Sequence, residues 1–290
     1  MIALLVKPSA WKKTKYRRML DELVMQGAYI FSGHTQHDIA QEIAQLLTAN
    51  EQVTVVACGG DGTVHLLVNA VGEYPVTFAV LPMGTGNDFA RYLGIRDIQT
   101  GKQVLDQPHE TTFDVGHIAL DDGTRRRFIG VTSCGFDAQV NERANTYRGP
   151  AGTAKYIAAL LGEIKSLRSL TLDIEIDGEL DQREVVLLAI GNTSSYGGGM
   201  KVCPDANAQD GQFSVISVAP VTRTLLLRVF PRVFFGSHIK HPKVTSLNAR
   251  SIRVGGEAFP MYADGERIGM GPATITISPQ ALVVKALSSQ

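Results

Sequence analysis

The run Val53-Thr54-Val55-Val56-Ala57-Cys58-Gly59-Gly60-Asp61-Gly62-Thr63, with the later run Thr77-Phe78-Ala79-Val80-Leu81-Pro82-Met83-Gly84-Thr85-Gly86-Asn87-Asp88, decides how this chain reads. Each begins as a short apolar strand and ends in a glycine-rich loop that carries a carboxylate. Glycine lets the backbone approach an anion closely and adopt positive φ, so successive N–H groups can face phosphate oxygens. An aspartate in such a loop repels phosphate unless a cation lies between them. Asp61 and Asp88 therefore point to a nucleotide held with Mg²⁺, an ion bound by few carboxylates together with phosphates and water. One such loop alone reads equally well as a βα turn whose aspartate caps the next helix, and it is the pair that carries the functional reading. Neither loop is a Walker A sequence, and no Gly-x-Gly-x-x-Gly follows the first strand, which argues against a dinucleotide Rossmann site.

Outward from these loops the first third alternates in the α/β manner. Ile2 to Val6 predicts a buried strand, Tyr16, Met19, Leu20, Leu23 and Val24 a helix, and Ile39, Ile43, Ala44, Leu46 and Leu47 a second helix. Strand Val53 to Ala57, a helix from Val64 and strand Thr77 to Leu81 complete an open parallel sheet, with both loops at the carboxyl ends of their strands, where ligands bind in such sheets. From about residue 112 short β-type runs take over: Phe113 to Leu120, Arg127 to Ser133, Leu170 to Ile176, Glu184 to Ile190, Phe213 to Val218, Ser251 to Val254 and Ala273 to Ile277. Asp-Gly turns stand at 122–123, 177–178 and 264–265. Two helical stretches interrupt them, Ala154 to Leu167 and an apolar run from Leu225 to Phe235 broken by Pro231. There is no internal repeat, and only the last few residues look loose.

Composition narrows the class. A chain of 290 residues, 44% hydrophobic, buries a large core and exceeds the usual size of one domain. Lys+Arg and Asp+Glu number 28 each, so no global field argues for nucleic acid and any anionic partner is met locally. Cys58, Cys134 and Cys203 are odd in number and lack metal-ligand spacing, which fits reduced thiols in a cytosolic protein. No apolar run reaches the roughly 18 residues of a membrane span. Met1-Ile2-Ala3-Leu4-Leu5-Val6 lacks a basic leader and soon meets Lys7-Pro8, so it reads as a strand rather than a signal peptide.

Further blocks follow in order: Gly135-Phe136-Asp137-Ala138-Gln139-Val140; Gly197-Gly198-Gly199-Met200 with Pro204-Asp205-Ala206 and Asp210-Gly211; and Asp264-Gly265-Glu266. With the two loops, the chain resembles the diacylglycerol and sphingosine kinase superfamily over nearly its whole length, most of all the soluble bacterial lipid kinases. The resemblance implies an α/β ATP-binding domain over residues 1–112 and a β-sandwich substrate domain over 113–290, whose last strand is able to return to the first domain. It also implies ATP and Mg²⁺ as cofactors. Gly59, Gly60, Asp61, Gly62, Thr63, Val64, His65 and Leu66 would surround the ATP phosphates, with Gly84, Thr85 and Asn87 from the second loop. Asp61 and Asp88 would organise the catalytic magnesium and Glu266 would be the general base, consistent with a reaction that rests on positioning, charge neutralisation and a carboxylate that takes the acceptor proton. By residue type alone Glu266 is a solvated hairpin residue. The family's structural Mg²⁺ would fall on Asp210 with Asn207 and Gln212, where the bland reading is a β-turn. A hydroxyl before the second helix that meets nucleotide would be Thr35, with Ser32 as the competing choice.

Three positions depart from the family pattern. Lys7-Pro8 stands where Asn-Pro is usual, His65-Leu66 where bacterial relatives carry Asn-Glu, and Asn69-Ala70 where Asn-Gly closes the helix. They bear on nucleotide affinity or choice more than on fold. The implied activity is transfer of the ATP γ-phosphate to a lipid hydroxyl, of diacylglycerol or a related lipid. Two alternatives stay open: an NAD kinase, which shares the first loop, and a non-catalytic nucleotide- or lipid-binding regulator. The expected setting is cytoplasmic and peripheral to a membrane. Lys12, Lys13, Lys15, Arg17 and Arg18 beside Trp11 and Tyr16 suit an anionic lipid surface, or equally an exposed soluble helix face. No nucleic-acid partner is expected, and a homodimer is left open.

Overall fold

The computed structural model describes residues 1–146 and 153–287, so the expectation for the last few residues falls on 288–290, outside the described residues. The chain divides into two compact units, Met1–Phe113 with Gln280–Gln290, and Asp114–Pro279.

The first unit runs β1 (Ile2–Val6), α1 (Pro8–Trp11), α2 (Thr14–Met25), β2 (Tyr29–Ile30), α3 (Gln36–Ala49), β3 (Thr54–Gly59), α4 (Asp61–Val71), β4 (Thr77–Pro82), α5 (Asp88–Tyr92) and α6 (Ile98–Asp106). Its strands lie parallel in the order β2-β1-β3-β4, and Val283 and Val284 of the chain's last strand add in parallel beside Thr77 and Phe78. Leu4, Val56, Cys58, Ala79 and Leu81 of the strands form a core with Tyr16, Met19, Leu20 and Leu23 of α2. Those four helical positions fall at i, i+3, i+4 and i+7, one stripe of a helix. Val24 lies beside that stripe and is exposed, so it leaves the expected core set. Helix α4 starts at Asp61, ahead of the expected Val64, because Gly60 already serves as its N-cap. Helix α3 opens on a capping box: the Thr35 hydroxyl accepts from the Asp38 N–H while the Asp38 carboxylate accepts from Thr35.

In the second unit β5 (Glu110–Leu120), β6 (Arg125–Phe128), β7 (Val131–Gly135), α7 (Phe136–Thr146) and α8 (Thr153–Glu163) come first. Then follow β8 (Leu170–Ile176), β9 (Glu179–Val185), β10 (Leu187–Gly191), β11 (Phe213–Val218), α9 (Arg223–Val229), β12 (Val244–Ala249), β13 (Ser251–Gly256), β14 (Pro260–Ala263), β15 (Glu266–Met270) and β16 (Ala273–Lys285). One antiparallel sheet has the order β12-β11-β10-β7-β14-β15. The start of β16, with β13, β8 and β9 and with β5 and β6, forms a second sheet. Side chains from both fill one core, in which the Phe128 and Phe213 rings stack at 5.6 Å. The far face of the first sheet is covered too: Val131, Ala189 and Ile216 join Phe136 and Val140 of α7 and Tyr156, Ala159 and Leu160 of α8. Burial on both faces explains why β10 reads as a continuous apolar run instead of an alternation.

Two expected strands are each split. Arg127 to Ser133 becomes β6 and β7, and Glu184 to Ile190 becomes β9 and β10. In both places the chain passes from one sheet to the other, and its backbone groups need other partners at the crossing. The Asp264 carboxylate accepts from the N–H groups of Ile129 and Gly130, and the Val186 N–H donates to Val218 O at 2.7 Å. Helix α7 was not expected, because its polar, weakly periodic sequence hides the buried positions Val140 and Ala144. The apolar run Leu225 to Phe235 is helical only to Val229 and then tightens into a 3₁₀ turn over Phe230–Phe235, where Pro231 cannot donate to the α ladder.

Between α7, α8 and the sheet lies a polar knot. The carboxylate of Asp137, fully buried, accepts from Ser133 Oγ, Tyr156 OH, Tyr196 OH and, at 3.1 Å, Asn141 Nδ2. Burial outweighs these donors and pushes the Asp137 carboxyl above its ordinary value of 3.8. The folded chain therefore keeps this proton at pH values where the unfolded chain has lost it. The stability tied to it is fully present below the unfolded value and is lost as the pH rises through the folded value.

Two outcomes follow from this architecture. Thr35→Ala removes the cap of α3 and is expected to lower stability by about 1 kcal/mol, read from urea melts. The urea midpoint of the native chain is expected to fall relative to that of Asp137→Asn as the pH is raised from about 4, and a difference independent of pH would mean that Asp137 does not titrate in that window.

Candidate active site

In the first unit β3 and β4 run side by side in register, with Cys58 opposite Leu81 and Gly59 opposite Pro82, so the two glycine-rich loops emerge together. They touch backbone to backbone. A Cβ built on Gly84 would stand 2.4 Å from Gly60 Cα and 2.8 Å from Asn87 Oδ1, and one built on Gly59 would stand 2.1 Å from Thr63 Oγ1. No side chain fits at either position without displacing the loops.

The second loop folds around Asn87, which takes a left-handed conformation (φ 53°). Its side chain clasps Gly84, accepting from the N–H at 3.0 Å and donating to the carbonyl at 3.2 Å. Asp61 then ties the loops together, its Oδ1 accepting from the Asp88 N–H at 2.7 Å. The Asp88 carboxylate, largely buried, receives Arg91 Nη1 at 2.7 Å, while Arg91 Nη2 donates to Gly86 O at 2.9 Å. A Cβ on Gly86 would lie 2.3 Å from Asp61 Oδ2 and 3.6 Å from Asp88 Oδ2, so both carboxylates flank this one glycine. Two carboxylate oxygens converging beside an open loop suit a small hard dication that takes its remaining ligands from phosphate and water, and the residues thus fit Mg²⁺.

Helix α4 begins on the first loop. The N–H groups of Thr63 and Val64 turn back to Gly60 O, so any outward-facing donors belong to the start of the helix, the end that favours an anion. The side chains of Val64 and His65 are buried and Leu66 is half-buried, while Gly62 and Thr85 are exposed. His65 stacks one turn below Asn69, whose Nδ2 donates to His65 O at 2.9 Å. The two candidate hydroxyls are both held by carboxylates: Thr35 Oγ1 donates to Asp38 at 2.7 Å and Ser32 Oγ to Glu42 at 3.1 Å. Lys7 follows β1 directly, and its N–H donates to Cys58 O at 3.1 Å. Its exposed ammonium thus belongs to the same strand-end edge as the first loop. Sequence reasoning missed Arg91 and Glu42. Arg91 was detectable as a cation three residues after Asp88 in a helical stretch, whereas nothing local marks Glu42 as the anchor of Ser32 and Gly33.

In the second unit Glu266 opens β15 at the Asp264-Gly265 turn, where both turn residues have positive φ (52° and 82°), and it is exposed. The turn is pinned at its base, since Asp264 caps Gly130 at 2.8 Å and Asn145 Nδ2 donates to Gly265 O at 3.2 Å. Asn207, Asp210 and Gln212 form one loop. The Gln212 N–H donates to Asp210 Oδ1 at 2.9 Å and the buried Asp114 carboxylate accepts from Gly211 N–H at 2.7 Å. No group of three or more His, Cys, Asp or Glu side chains among the described residues is arranged for a metal, so an ion here would rely on Asp210 and backbone carbonyls.

The same unit holds an apolar pocket with about 760 Å³ of unfilled space, open solvent at its mouth included. Leu160 of α8, Ile216 of β11, Leu225, Val229 and Phe230 are among its walls, and the Asp137–Tyr156–Tyr196 knot lies against it. The apolar run Leu225 to Phe235, which as sequence suits a core or an acyl-chain groove, in fact lines this pocket through its inner residues. His238 also lines it. Burial pushes its imidazole below the ordinary value, and its Nε2 meets Val202 O at 3.0 Å. No helix among the described residues is long and apolar enough to cross a membrane.

Comparison with known proteins agrees with this geometry. Residues 5–118 match the diacylglycerol kinase catalytic domain, and residues 130–286 match the YegS C-terminal NAD kinase beta sandwich-like domain. A diacylglycerol kinase of Mycobacterium tuberculosis (strain ATCC 25618 / H37Rv) is 34% identical over 87% of this chain and 82% of its own. One of Staphylococcus carnosus (strain TM300) is 31% identical over 90% and 87%. In fold, the chain is similar to a crystal structure of a diacylglycerol kinase from Bacillus anthracis str. Sterne, with a TM-score of 0.71 at 18% identity over 99% of this chain and 96% of that one. It is similar, less closely, to an NAD kinase from Archaeoglobus fulgidus in complex with ATP, with a TM-score of 0.53 at 15% identity over 98% and 93%. Paired glycine loops bridged by Asp61, two successive domain matches and relatives aligned over most of their length lead to one conclusion: the chain belongs to the diacylglycerol kinase family.

Proposed function

We propose that this kinase transfers the γ-phosphate of ATP to the hydroxyl of a lipid, diacylglycerol or a related lipid. The observation that carries the lipid acceptor is the pocket of the second unit, whose walls are aliphatic and aromatic and suit hydrocarbon far better than a dinucleotide. On the donor side, Gly59 to Leu66 with Gly84, Thr85 and Asn87 surround the phosphates, Lys7 adds a cation at that edge, and Thr35 meets the nucleotide. Asp61 and Asp88 hold Mg²⁺, which when bound offsets the charge of the transferring phosphoryl group. Arg91 keeps the Asp88 carboxylate aimed. Glu266 takes the proton of the acceptor hydroxyl, a role that its exposure on a pinned turn permits. A second Mg²⁺ bound by Asn207, Asp210 and Gln212 stiffens its loop. The enzyme works from the cytoplasmic side at a membrane surface, with Lys12, Lys13, Arg17 and Arg18 facing anionic lipid. Those cations are exposed, but Tyr16 is buried and Lys13 and Lys15 lie over its ring, at 5.3 and 4.7 Å from its centroid, so Tyr16 itself does not face lipid.

The deciding assay follows labelled γ-phosphate into a panel of lipids in mixed micelles, with NAD as a competing acceptor. Labelled lipid that vanishes with Asp61→Asn is the expected outcome, and labelled NADP in its place would turn the reading to an NAD kinase, whose fold this chain shares. No transfer at all alongside measured ATP binding would favour a regulator. Glu266→Ala should lower turnover by at least about a hundredfold with ATP affinity little changed, and normal turnover would remove it as the base. Mg²⁺ should raise the melting temperature of the native chain and do so less in Asp210→Asn, while an equal rise in both would place the stabilising ion elsewhere.

A further inference from the structure

The segment that roofs the apolar pocket has two unlike faces. From Val221 through α9 and the 3₁₀ turns at Phe230–Phe235 and Ser237–Lys240, the side chains of Val221, Leu225, Leu226, Val229, Phe230 and Val233 line the pocket. The opposite face carries Arg223, Leu227, Arg228, Arg232 and Phe235, all exposed, and Phe235 is 82% exposed. The charge here is one-sided. Between Asp210 and Glu257 the sequence has no carboxylate, and Arg223, Arg228, Arg232, Lys240, Lys243, Arg250 and Arg253 all fall in that interval. Such a bias stands out in a chain whose cations and anions balance at 28 each. Arg253 is paired with Asp121 and Arg223 donates to Lys165 O, but Arg228, Arg232, Lys240 and Lys243 form no ion pair among the described residues.

We infer that this outer face, Arg223 to Lys240, is a docking surface for an anionic lipid bilayer. Cations are drawn to an anionic leaflet, while an exposed phenylalanine and leucine between them gain by leaving water for the interface. Short amphipathic segments with basic residues and aromatic anchors bind membranes by this combination. The inner face of the same segment borders the pocket, so a bilayer met here lies next to the place proposed for a hydrocarbon chain. The basic start of α2 lacks such an anchor, because its aromatic Tyr16 is buried in the core. A second copy of the chain is a poorer occupant, because two such faces would bring like charges together.

The test reads vesicle binding without ATP. The purpose of the surface rests on the lipid-kinase reading, but the measurement does not: transfer to a soluble short-chain diacylglycerol, measured separately, reports on that reading alone. Since Cys58, Cys134 and Cys203 are buried, an environment-sensitive dye on Phe235→Cys labels one exposed site. Vesicles of phosphatidylcholine with phosphatidylglycerol should shift the dye emission to the blue, pure phosphatidylcholine should do so far less, and added salt should reverse it. In the otherwise native chain, Arg228→Glu with Arg232→Glu, and separately Phe235→Ser, should each weaken sedimentation with anionic vesicles at least tenfold while the melting temperature is kept. The inference is overturned by a dye that stays water-exposed on bound vesicles, or by binding that survives both variants. It is equally overturned if binding is lost only when Lys12, Lys13, Arg17 and Arg18 are neutralised, or if the dye shifts with protein concentration alone, which would mark a dimer interface.

Discussion

The backbone contact of Gly60 with Gly84 is the constraint on which the rest of the paired-loop site depends. Parallel pairing of β3 and β4 brings both loops out at one edge, and only the lack of a Cβ on each side lets their backbones meet. Once they meet, Asp61 reaches the N–H of Asp88, Asn87 closes the second loop on itself, and Gly86 is left with a carboxylate oxygen on either flank. Like charges held this near repel one another, and the loops contain counterweights: Arg91 on Asp88 and the positive end of α4. The arrangement is one of positioning and charge neutralisation, which is the demand of phosphoryl transfer.

The second unit solves a different problem. Its first sheet is covered on both faces, by the second sheet on one side and by α7, α8 and the α9 segment on the other. The covering is incomplete where the α9 segment arches over the sheet, and the gap is the apolar pocket. A carboxylate beside such a pocket is costly unless it is surrounded by donors, and Asp137 has four. That knot joins β7, α7, α8 and the loop of Tyr196, so it holds the pocket wall in place while leaving the lining hydrocarbon. Exposed arginines and Phe235 on the outside of the same segment give it a surface suited to lipid as well as an interior suited to chains.

The Asp61–Asp88 pair and the pocket thus arise from separate folding devices: glycine contacts at the ends of parallel strands in one unit, and a partly roofed antiparallel sheet in the other. Turn chemistry links each to its scaffold. The Asp264-Gly265 hairpin presents Glu266 because Asp264 is spent on the N–H groups of Ile129 and Gly130, where the chain changes sheets. The Asp210 loop is fastened in the same manner by the buried Asp114. In both cases a buried or capping aspartate fixes the backbone and leaves a neighbouring carboxylate to face solvent.

The sequence by itself determined the two textures, the parallel sheet around the glycine loops, the Asp-Gly hairpins and the family, because glycine, aspartate and apolar spacing act over a few residues. Asp61, Asp88 and Glu266 were legible as residue types in those short motifs. Tertiary structure alone decided what depends on contacts distant in the chain. It split the runs 127–133 and 184–190 where strands change sheets, formed α7 from a sequence of weak periodicity, and left Val24 outside the core. It also paired Arg91 with Asp88, engaged Thr35 in a capping box, and gathered Ser133, Asn141, Tyr156 and Tyr196 around Asp137. Local propensity is short-ranged, whereas burial and hydrogen-bond completion are settled only when segments far apart in the chain meet.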